Sequence, residues 1–495
     1  PRSTLFPYTT LFRSGSAKGN YNMQAFMATI EKIDAFLWGF PLLILLVGTG
    51  IFMTLRLTGI QFRKFGYAMK ETIGKVFSKE KVETVEGALT PFQAMCTALA
   101  GSVGTGNVAG VASAIALGGP GAVFWMWISA LVGMCTKYCE VTLAVHYREV
   151  NPNGEYIGGP MYYIKNGMGK NWAWLGGIFA FLAGFASFGI GNMTQINTIA
   201  TSIGSIFTSF DPGFGEAKLK ILYIVVGVVF AGLTALVLFG GLQRIGGVTE
   251  KLVPAMAIVY IVTALIVIFA NYKNIGPTFK HIFECAFNPD AVGGGLVGTG
   301  IMTCIRYGVG RGVFSNEAGL GSAPMAHASA NTDHPAKQGM FGIFEVFADT
   351  VVICTVTALA ILMSGCADQF YGKAAGTDLT ILSFGTTFGT KTASIIIATC
   401  ITMFAFSTIL SWSLYGSRCF EYLGGLKAVA VYKVLYVGVV VLGAAISLQA
   451  AWTVADILNA LMALPNLIAV LVLSPQIVKL TKDLFSGDPK LGVKN

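Results

Sequence analysis

Residues 101–110 read Gly101-Ser102-Val103-Gly104-Thr105-Gly106-Asn107-Val108-Ala109-Gly110, and residues 308–319 read Gly308-Val309-Gly310-Arg311-Gly312-Val313-Phe314-Ser315-Asn316-Glu317-Ala318-Gly319. Each glycine weakens a helix by about 1 kcal/mol relative to alanine, so clusters this dense make unwinding cheap. Both clusters interrupt long apolar runs, and in a bilayer freed backbone is tolerated only where it faces protein or a polar cavity. Both are therefore candidate linings of an internal site. Glycines that merely let helices approach closely are the competing reading. That alternative explains the first cluster more easily than the second, which also carries Arg311, Asn316 and Glu317.

The clusters resemble each other. A shift of 209 residues lays Asn107 to Ala114 on Asn316 to Ala323 with five identities in eight positions. Small residues recur by chance in packed membrane helices; the paired asparagines are the less trivial match. The clusters lie in apolar spans five places apart in order, so one runs inward and the other outward across the membrane. An inverted repeat whose paired broken helices form a site near the midplane has this arrangement. A dinucleotide or phosphate-loop reading of Gly104 and Gly106 would need a preceding strand and an acidic residue about 20 positions on; neither is present.

Composition widens the reading. The 33 basic and 24 acidic residues make only 12% of the 495-residue chain charged, against about 25% in a soluble domain. Hydrophobic residues make up 54%, in runs long enough for the roughly 20 residues a crossing needs. An all-α polytopic membrane protein follows. A net charge of +9 sits mostly between apolar runs, without the basic aromatic face of a nucleic-acid binder. The nine cysteines lack a CxxC pair and mostly lie in apolar runs, as small filler would.

Runs bounded by Gly, Pro or charge predict about eleven transmembrane helices: 34–57, 90–117, 120–147, 172–209, 218–240, 245–271, 293–329, 338–364, 392–420, 428–450 and 452–478. Residues 1–22 read as a tag, linker or non-native leader without a helical stripe, and Met23 or Met27 as the native start. Span 34–57 is an extra N-terminal helix; 90–271 and 293–478 form two five-helix units; 479–495 is a tail. The 172–209 run is longer than a crossing needs and is either tilted or extended past the bilayer. Lys and Arg concentrate in alternate loops, beginning with Arg63, Lys64, Lys70, Lys75, Lys79 and Lys81. The positive-inside rule then puts the N-terminus outside and the C-terminus in the cytoplasm, in the plasma (inner) membrane. The 58–89 segment reads as a basic amphipathic helix on the anionic surface or a solvated loop.

Charges within spans mark pathways or pairs. Lys137 and Glu140, three apart, are expected to satisfy each other. Arg311 and Glu317 flank the expected break in the second cluster, either as a gate pair or as charges that hold the break open. Glu345 and Asp349 are either a gate pair or a solvated helix end. His146, His281, His327 and His334 lack metal-ligand spacing and read as loop or helix-end residues. Gln195 sits in a polar stretch inside an apolar run, which suggests a cavity-facing stripe. Ser407, Thr408, Ser411 and Trp412 place hydroxyls and an indole one turn apart; back-bonding to the preceding turn and plain packing are the bland alternatives.

On these residues the sequence resembles the alanine or glycine:cation symporter family, the sodium:alanine symporters. The resemblance runs from about Asp34 to the last helix. It is most specific in Thr105-Gly106-Asn107-Val108-Ala109-Gly110, in Gly158-Gly159-Pro160-Met161-Tyr162-Tyr163-Ile164, and in Gly312 to Pro324. The resemblance implies a leucine-transporter-like core of two inverted five-helix repeats with discontinuous helices, and Na⁺-coupled uptake of small neutral amino acids. By similarity the substrate is a small zwitterionic amino acid. Its carboxylate would meet the Thr105 and Gly106 amides beside Gly104, and its ammonium the Phe314, Ser315, Asn316 and Glu317 region. Gln195, Phe314 and Trp412 would enclose its side chain. Also by similarity, a Na⁺ site uses the Ala100 and Val103 carbonyls with the Ser407 and Thr408 hydroxyls; a weaker second cation site lies near Ser102, Asn107 and Ser315. No organic cofactor is implied.

Coupling to H⁺ is the alternative that Glu317 keeps open. An intramembrane enzyme would need a nucleophile with a base, or a metal motif such as HExxH, and none appears. A channel fits a repeat with two breaks less well than alternating access does.

Overall fold

The computed structural model describes residues 17–76, 87–211, 213–288, 300–446 and 449–486. Residues 1–16 of the leader, Lys79 and Lys81, the 293–299 start of the seventh expected span and the tail beyond 486 lie outside the described residues.

Helices α1 (Ala17–Leu37) and α2 (Phe40–Arg56) meet at a turn over Trp38 and Gly39, with Pro41 in the first turn of α2. Helix begins at Ala17, within the residues read as leader, and the expected 34–57 span is divided between the two helices. Short helices α3 (Ile60–Arg63), α4 (Phe65–Glu71) and α5 (Ile73–Val76) then make the basic segment helical where it is described.

The second expected span is broken, as its glycines predict. Helix α6 (Pro91–Ser102) is started by Pro91 and a reciprocal cap in which Thr90 and Gln93 side chains each accept the other's backbone N–H at 3.1 Å. It ends at Val103, whose ψ of 94° leaves the helical region. A 3₁₀ turn, Thr105–Asn107, leads into α7 (Ala109–Gly118).

Helix α8 (Gly121–His146) leads to a small hairpin, β1 (Glu149–Val150) and β2 (Tyr156–Ile157), and to α9 (Pro160–Tyr163). Helix α10 (Ala173–Phe188) continues through a π turn, Gly189–Met193, into α11 (Thr194–Phe210). The 41 residues from Lys170 to Phe210 measure about 62 Å as helix, well beyond a ~30 Å hydrocarbon core. Helices α12 (Glu216–Leu238), α13 (Gly241–Ala270) and α14 (Ile275–Phe287) follow.

The second break is displaced from its expected place. Helix α15 (Ile301–Asn316) runs unbroken through Gly308, Gly310 and Gly312. A Cβ at Gly308 would lie 2.3 Å from the Ala122 carbonyl oxygen, and one at Gly312 would lie 2.5 Å from Ser129 Oγ. These two glycines let α15 lie against α8. The chain turns instead at Glu317, Gly319 and Gly321, whose φ values are 56°, 93° and 82°, before α16 (Pro324–His327).

Helix α17 (Pro335–Val346) passes through a π segment, Phe347–Cys354, into α18 (Thr355–Met363); α19 (Thr377–Phe388) follows. Helix α20 (Thr390–Ala445) would be about 84 Å long if straight, but Gly425, at φ 69° and ψ −168°, divides it in two. Helices α21 (Gln449–Val472) and α22 (Ser474–Leu484) complete the described chain. Among the described residues the fold is all-α apart from the hairpin. Eight of its described helical segments are long and apolar enough to cross a membrane, which makes this a multi-pass membrane protein.

Candidate substrate and cation site

The break after α6 exposes the last carbonyls of that helix, which have no partners further along their own helix. Hydroxyls of α20 reach one of them, Ala100 O, and the Thr97 carbonyl a turn earlier. Thr408 Oγ1 donates to Ala100 O at 3.0 Å, Ser407 Oγ approaches the same oxygen at 3.5 Å, and Ser411 Oγ donates to Thr97 O at 2.6 Å. Ser407 and Thr408 also donate back to Phe404 O, at 2.8 and 3.0 Å. Back-bonding and site formation therefore coexist. A Cβ on Gly104 would lie 2.8 Å from Thr408 Oγ1 and 3.7 Å from Gln195 Oε1, so these three residues share one place. Val103 is buried beside them, its turned backbone taking its carbonyl out of the helix direction.

Asn107 closes the broken turn by accepting from Gly104 N at 2.9 Å. The amides of Thr105 and Gly106 open the 3₁₀ turn, so they have no partner within it. Gly106 faces α15, where an added Cβ would be 3.5 Å from Ser315 Cα and 3.6 Å from the Phe314 ring.

Gln195 owes its position to the π turn, which frees the Ile190 carbonyl to accept both Gln195 Nε2 at 3.0 Å and Thr194 Oγ1 at 2.7 Å. Its Oε1 is buried and has no hydrogen-bond partner among the described residues, a cost tolerated where a ligand can supply the missing donor. Gly191 in that turn packs so tightly on Trp412 that a Cβ would lie 2.2 Å from the tryptophan's own Cβ. Trp412 is fully buried and donates its indole N–H to Glu317 Oε1 at 3.1 Å.

The charges pair differently from expectation. Lys137 does not pair with Glu140: its Nζ is 3.1 Å from Glu345 Oε1, both side chains fully buried. Glu345 also accepts from Ser102 Oγ at 2.9 Å and contacts His327 Nε2 at 3.0 Å, while His327 Nδ1 meets Gln338 at 2.9 Å. Helix spacing brought Lys137 and Glu140 to one face, but tertiary packing supplies Lys137 with a nearer partner. His327 does end a helix, α16, but it is fully buried there. Glu345 and Asp349 are neither a gate pair nor a solvated end; both are fully buried with separate partners.

Glu140 accepts from Gly319 N at 3.2 Å and from Asn466, which also donates to Gly319 O at 2.8 Å and accepts from Tyr163. That group pins the second break. Glu317 does not meet Arg311 as a gate; it accepts from Ser322 Oγ at 2.5 Å and from Trp412. Asn316 caps the same turn, accepting from Ala318 N at 2.9 Å and donating to Thr350 at 3.1 Å. Asn107 and Ser315 do converge, on Asp349, at 2.7 and 2.9 Å. Ser102, the third residue of the weaker cation site, is drawn to Glu345 instead.

Asp349, Glu140 and Asn466 are the functional candidates the sequence did not single out for these roles. Asp349 carried a signal, an acid in an apolar run; Asn466 carried none.

Broken helices paired around one polar centre, on an all-α membrane scaffold, are the arrangement of a secondary transporter. The family model of the sodium:alanine symporter family matches residues 23–492, and the chain belongs to that family. It is similar to the sodium/alanine symporter AgcS of Methanococcus maripaludis, with 46% identity over 464 residues, covering 92% of this chain and 97% of that protein. It is also similar to the probable sodium/glutamine symporter GlnT of Bacillus subtilis, at 38% identity, covering 92% of this chain and 90% of that one. Among solved structures, the manganese transporter of Eremococcus coleocola aligns at a TM-score of 0.48 with 14% identity, over 83% of this chain and 82% of that one.

Proposed function

We propose that this chain uses a Na⁺ gradient to carry alanine or glycine into the cell. The observation that carries the reading is the α6 break: neutral oxygens from Ala100, Ser407 and Thr408 gather beside Gly104, where the unpartnered Gln195 Oε1 also lies. Hard neutral oxygens suit a small alkali cation. Helix-start amides at Thr105 and Gly106 suit a carboxylate. Glu317, and backbone around the second break, would receive the ammonium. Phe314 and Trp412 leave room for a methyl group or hydrogen more readily than for a longer side chain. Asn107 and Ser315, with Asp349 added, are the surviving part of a second cation site.

Eleven crossings support alternating access in this reading: the eight long segments with α20 counted twice at Gly425, plus the two broken spans. Residues 90–271 and 293–478 are then inverted repeats behind the N-terminal helices, with the N-terminus outside and the C-terminus inside. Na⁺ bound between the α6 break and α20 would hold the two together and raise the population of the substrate-binding conformation.

The test is uptake of labelled alanine into proteoliposomes under an inward Na⁺ gradient, then under an H⁺ gradient alone, with glycine and glutamine as competitors. Uptake should follow Na⁺ and be inhibited more by glycine than by glutamine. Uptake indifferent to Na⁺ would defeat the proposal. Thr408→Ala removes one cation ligand, so the Na⁺ concentration for half-maximal uptake should rise about tenfold at similar expression. Gln195→Ala removes the orphaned acceptor and should raise the alanine KM about tenfold; an unchanged KM would take Gln195 out of the site.

A further inference from the structure

The hairpin β1–β2, the turn between α12 and α13, and α20 on both sides of its Gly425 bend line one cavity of about 90 Å³. At 10–15 Å³ for each water-sized group, that is room for roughly six to nine of them, the scale of a phosphate with its linking atoms. Arg418, only 4% exposed, lies on its charged side. Its Nη1 donates to Glu421 Oε2 at 2.9 Å and its Nη2 lies 2.8 Å from Glu155 Oε2, while Asn151 donates to Glu421 Oε1 at 2.8 Å. Both carboxylates are thereby engaged. Two cationic donors are left over. Arg418 Nε is buried without a hydrogen-bond partner. Half-buried Lys433, which also lines the cavity, makes no ion pair among the described residues. Buried donors left in this way are costly unless a ligand accepts from them.

The remaining wall is apolar, with Leu238 and Leu242 from the α12–α13 turn and Leu426 and Val429 from α20. Just beyond it, Leu236, Phe239, Val431 and Val434 are exposed on α12, its turn and α20, a surface suited to acyl chains. Arg244 and Lys427 stand exposed at the same end, and neither 238–244 nor 422–433 contains an acid. Four basic residues thus face two acidic ones. We propose that this cavity holds the phosphate of an anionic phospholipid. The phosphate oxygens accept from Arg418 Nε and Lys433, and the acyl chains run out along α12 and α20. Basic pockets between helices at the cytoplasmic face bind such headgroups. Placing the lipid in the inner leaflet rests on the orientation proposed above; the binding does not. A lipid held there joins the hairpin to α20, the helix that carries Thr408 and Trp412.

The test titrates short-chain phosphatidylglycerol, phosphatidylcholine and soluble glycerol phosphate into the purified full chain in detergent and follows the midpoint of thermal unfolding. Phosphatidylglycerol should raise the midpoint saturably, and the other two far less. Lys433→Gln should raise the half-saturating phosphatidylglycerol concentration about tenfold through loss of one charge-assisted contact, while Lys479→Gln stays within about twofold of wild type. Lys479 is an exposed residue of α22 away from the cavity, so that variant controls for the loss of one charge. Val429→Trp keeps every charge but fills the cavity, and should weaken the response as Lys433→Gln does. Equal weakening by Lys433→Gln and Lys479→Gln would mean general attraction to a basic surface and would overturn the site. A Val429→Trp variant that matches wild type would do the same. A glycerol phosphate response as strong as that of the lipid would overturn the lipid as occupant. No saturable shift with phosphatidylglycerol overturns the proposal outright. Because the readout is binding in detergent, a failure of Na⁺-driven uptake leaves it untouched, and the two readings fall separately.

Discussion

Replacing Lys137 with methionine is expected to cost about 3–5 kcal/mol of stability, the penalty for leaving one partner of a buried ion pair without the other. The methionine fills most of the space that the lysine stem occupies, so the loss is electrostatic more than a matter of packing. Glu345 would keep Ser102 and His327 but lose its cation, in a place with no solvent access. The effect reaches beyond one pair because of where Glu345's partners lie. Ser102 ends α6 at the first break, and His327 ends α16 just after the second. The measurement is the midpoint of thermal unfolding in detergent, with the monodisperse fraction after heating as a second readout. Adding Glu345→Gln to Lys137→Met removes the stranded charge and should recover much of the loss. Equal midpoints for the single and double variants would show that the charge was not the cause.

The same cluster shows where sequence reading ends. Spacing of three residues puts Lys137 and Glu140 on one helical face, and that much holds. The partner that Lys137 takes is 208 residues away, and nothing in its local sequence points there. Asn466, which anchors Glu140 and the second break, likewise looks like an ordinary residue of an apolar run, and Tyr163, although inside the 158–164 string that carries the family resemblance, shows no sign in sequence of its bond to Asn466. The first break was legible because Gly104 and Gly106 sit where the helix ends and restarts. The second was misplaced because glycine has two uses that read alike in sequence. Gly308 and Gly312 serve close approach to α8, while the turn itself is made by Gly319, Gly321 and a non-glycine, Glu317, at φ 56°. A left-handed glutamate held by Ser322, Trp412 and the turn's own hydrogen bonds has no signature before the fold is known.

Gly104→Ala is expected to raise the Na⁺ concentration for half-maximal uptake at least as much as Thr408→Ala, while the protein still folds. The backbone at Gly104, φ −138° and ψ −150°, lies outside the left-handed region, so alanine meets its difficulty in the added atom. That Cβ would come within 2.8 Å of Thr408 Oγ1. The hydroxyl must then rotate away, giving up Ala100 O and Phe404 O, both 3.0 Å distant. A cation held between α6 and α20 would lose that ligand without Thr408 itself being changed. The decisive measurement is the Na⁺ dependence of alanine uptake for both single variants and the double variant. If the clash with Oγ1 is the whole effect, the double variant should resemble Thr408→Ala alone, because in that background the new Cβ no longer meets Oγ1 and its remaining oxygen neighbour, Gln195 Oε1 at 3.7 Å, is at ordinary contact distance. Residues coupled through one contact depart from additivity in this way. Fully additive effects would mean that Gly104 is needed for something other than room for the Thr408 hydroxyl, and would separate the first break from the cation site.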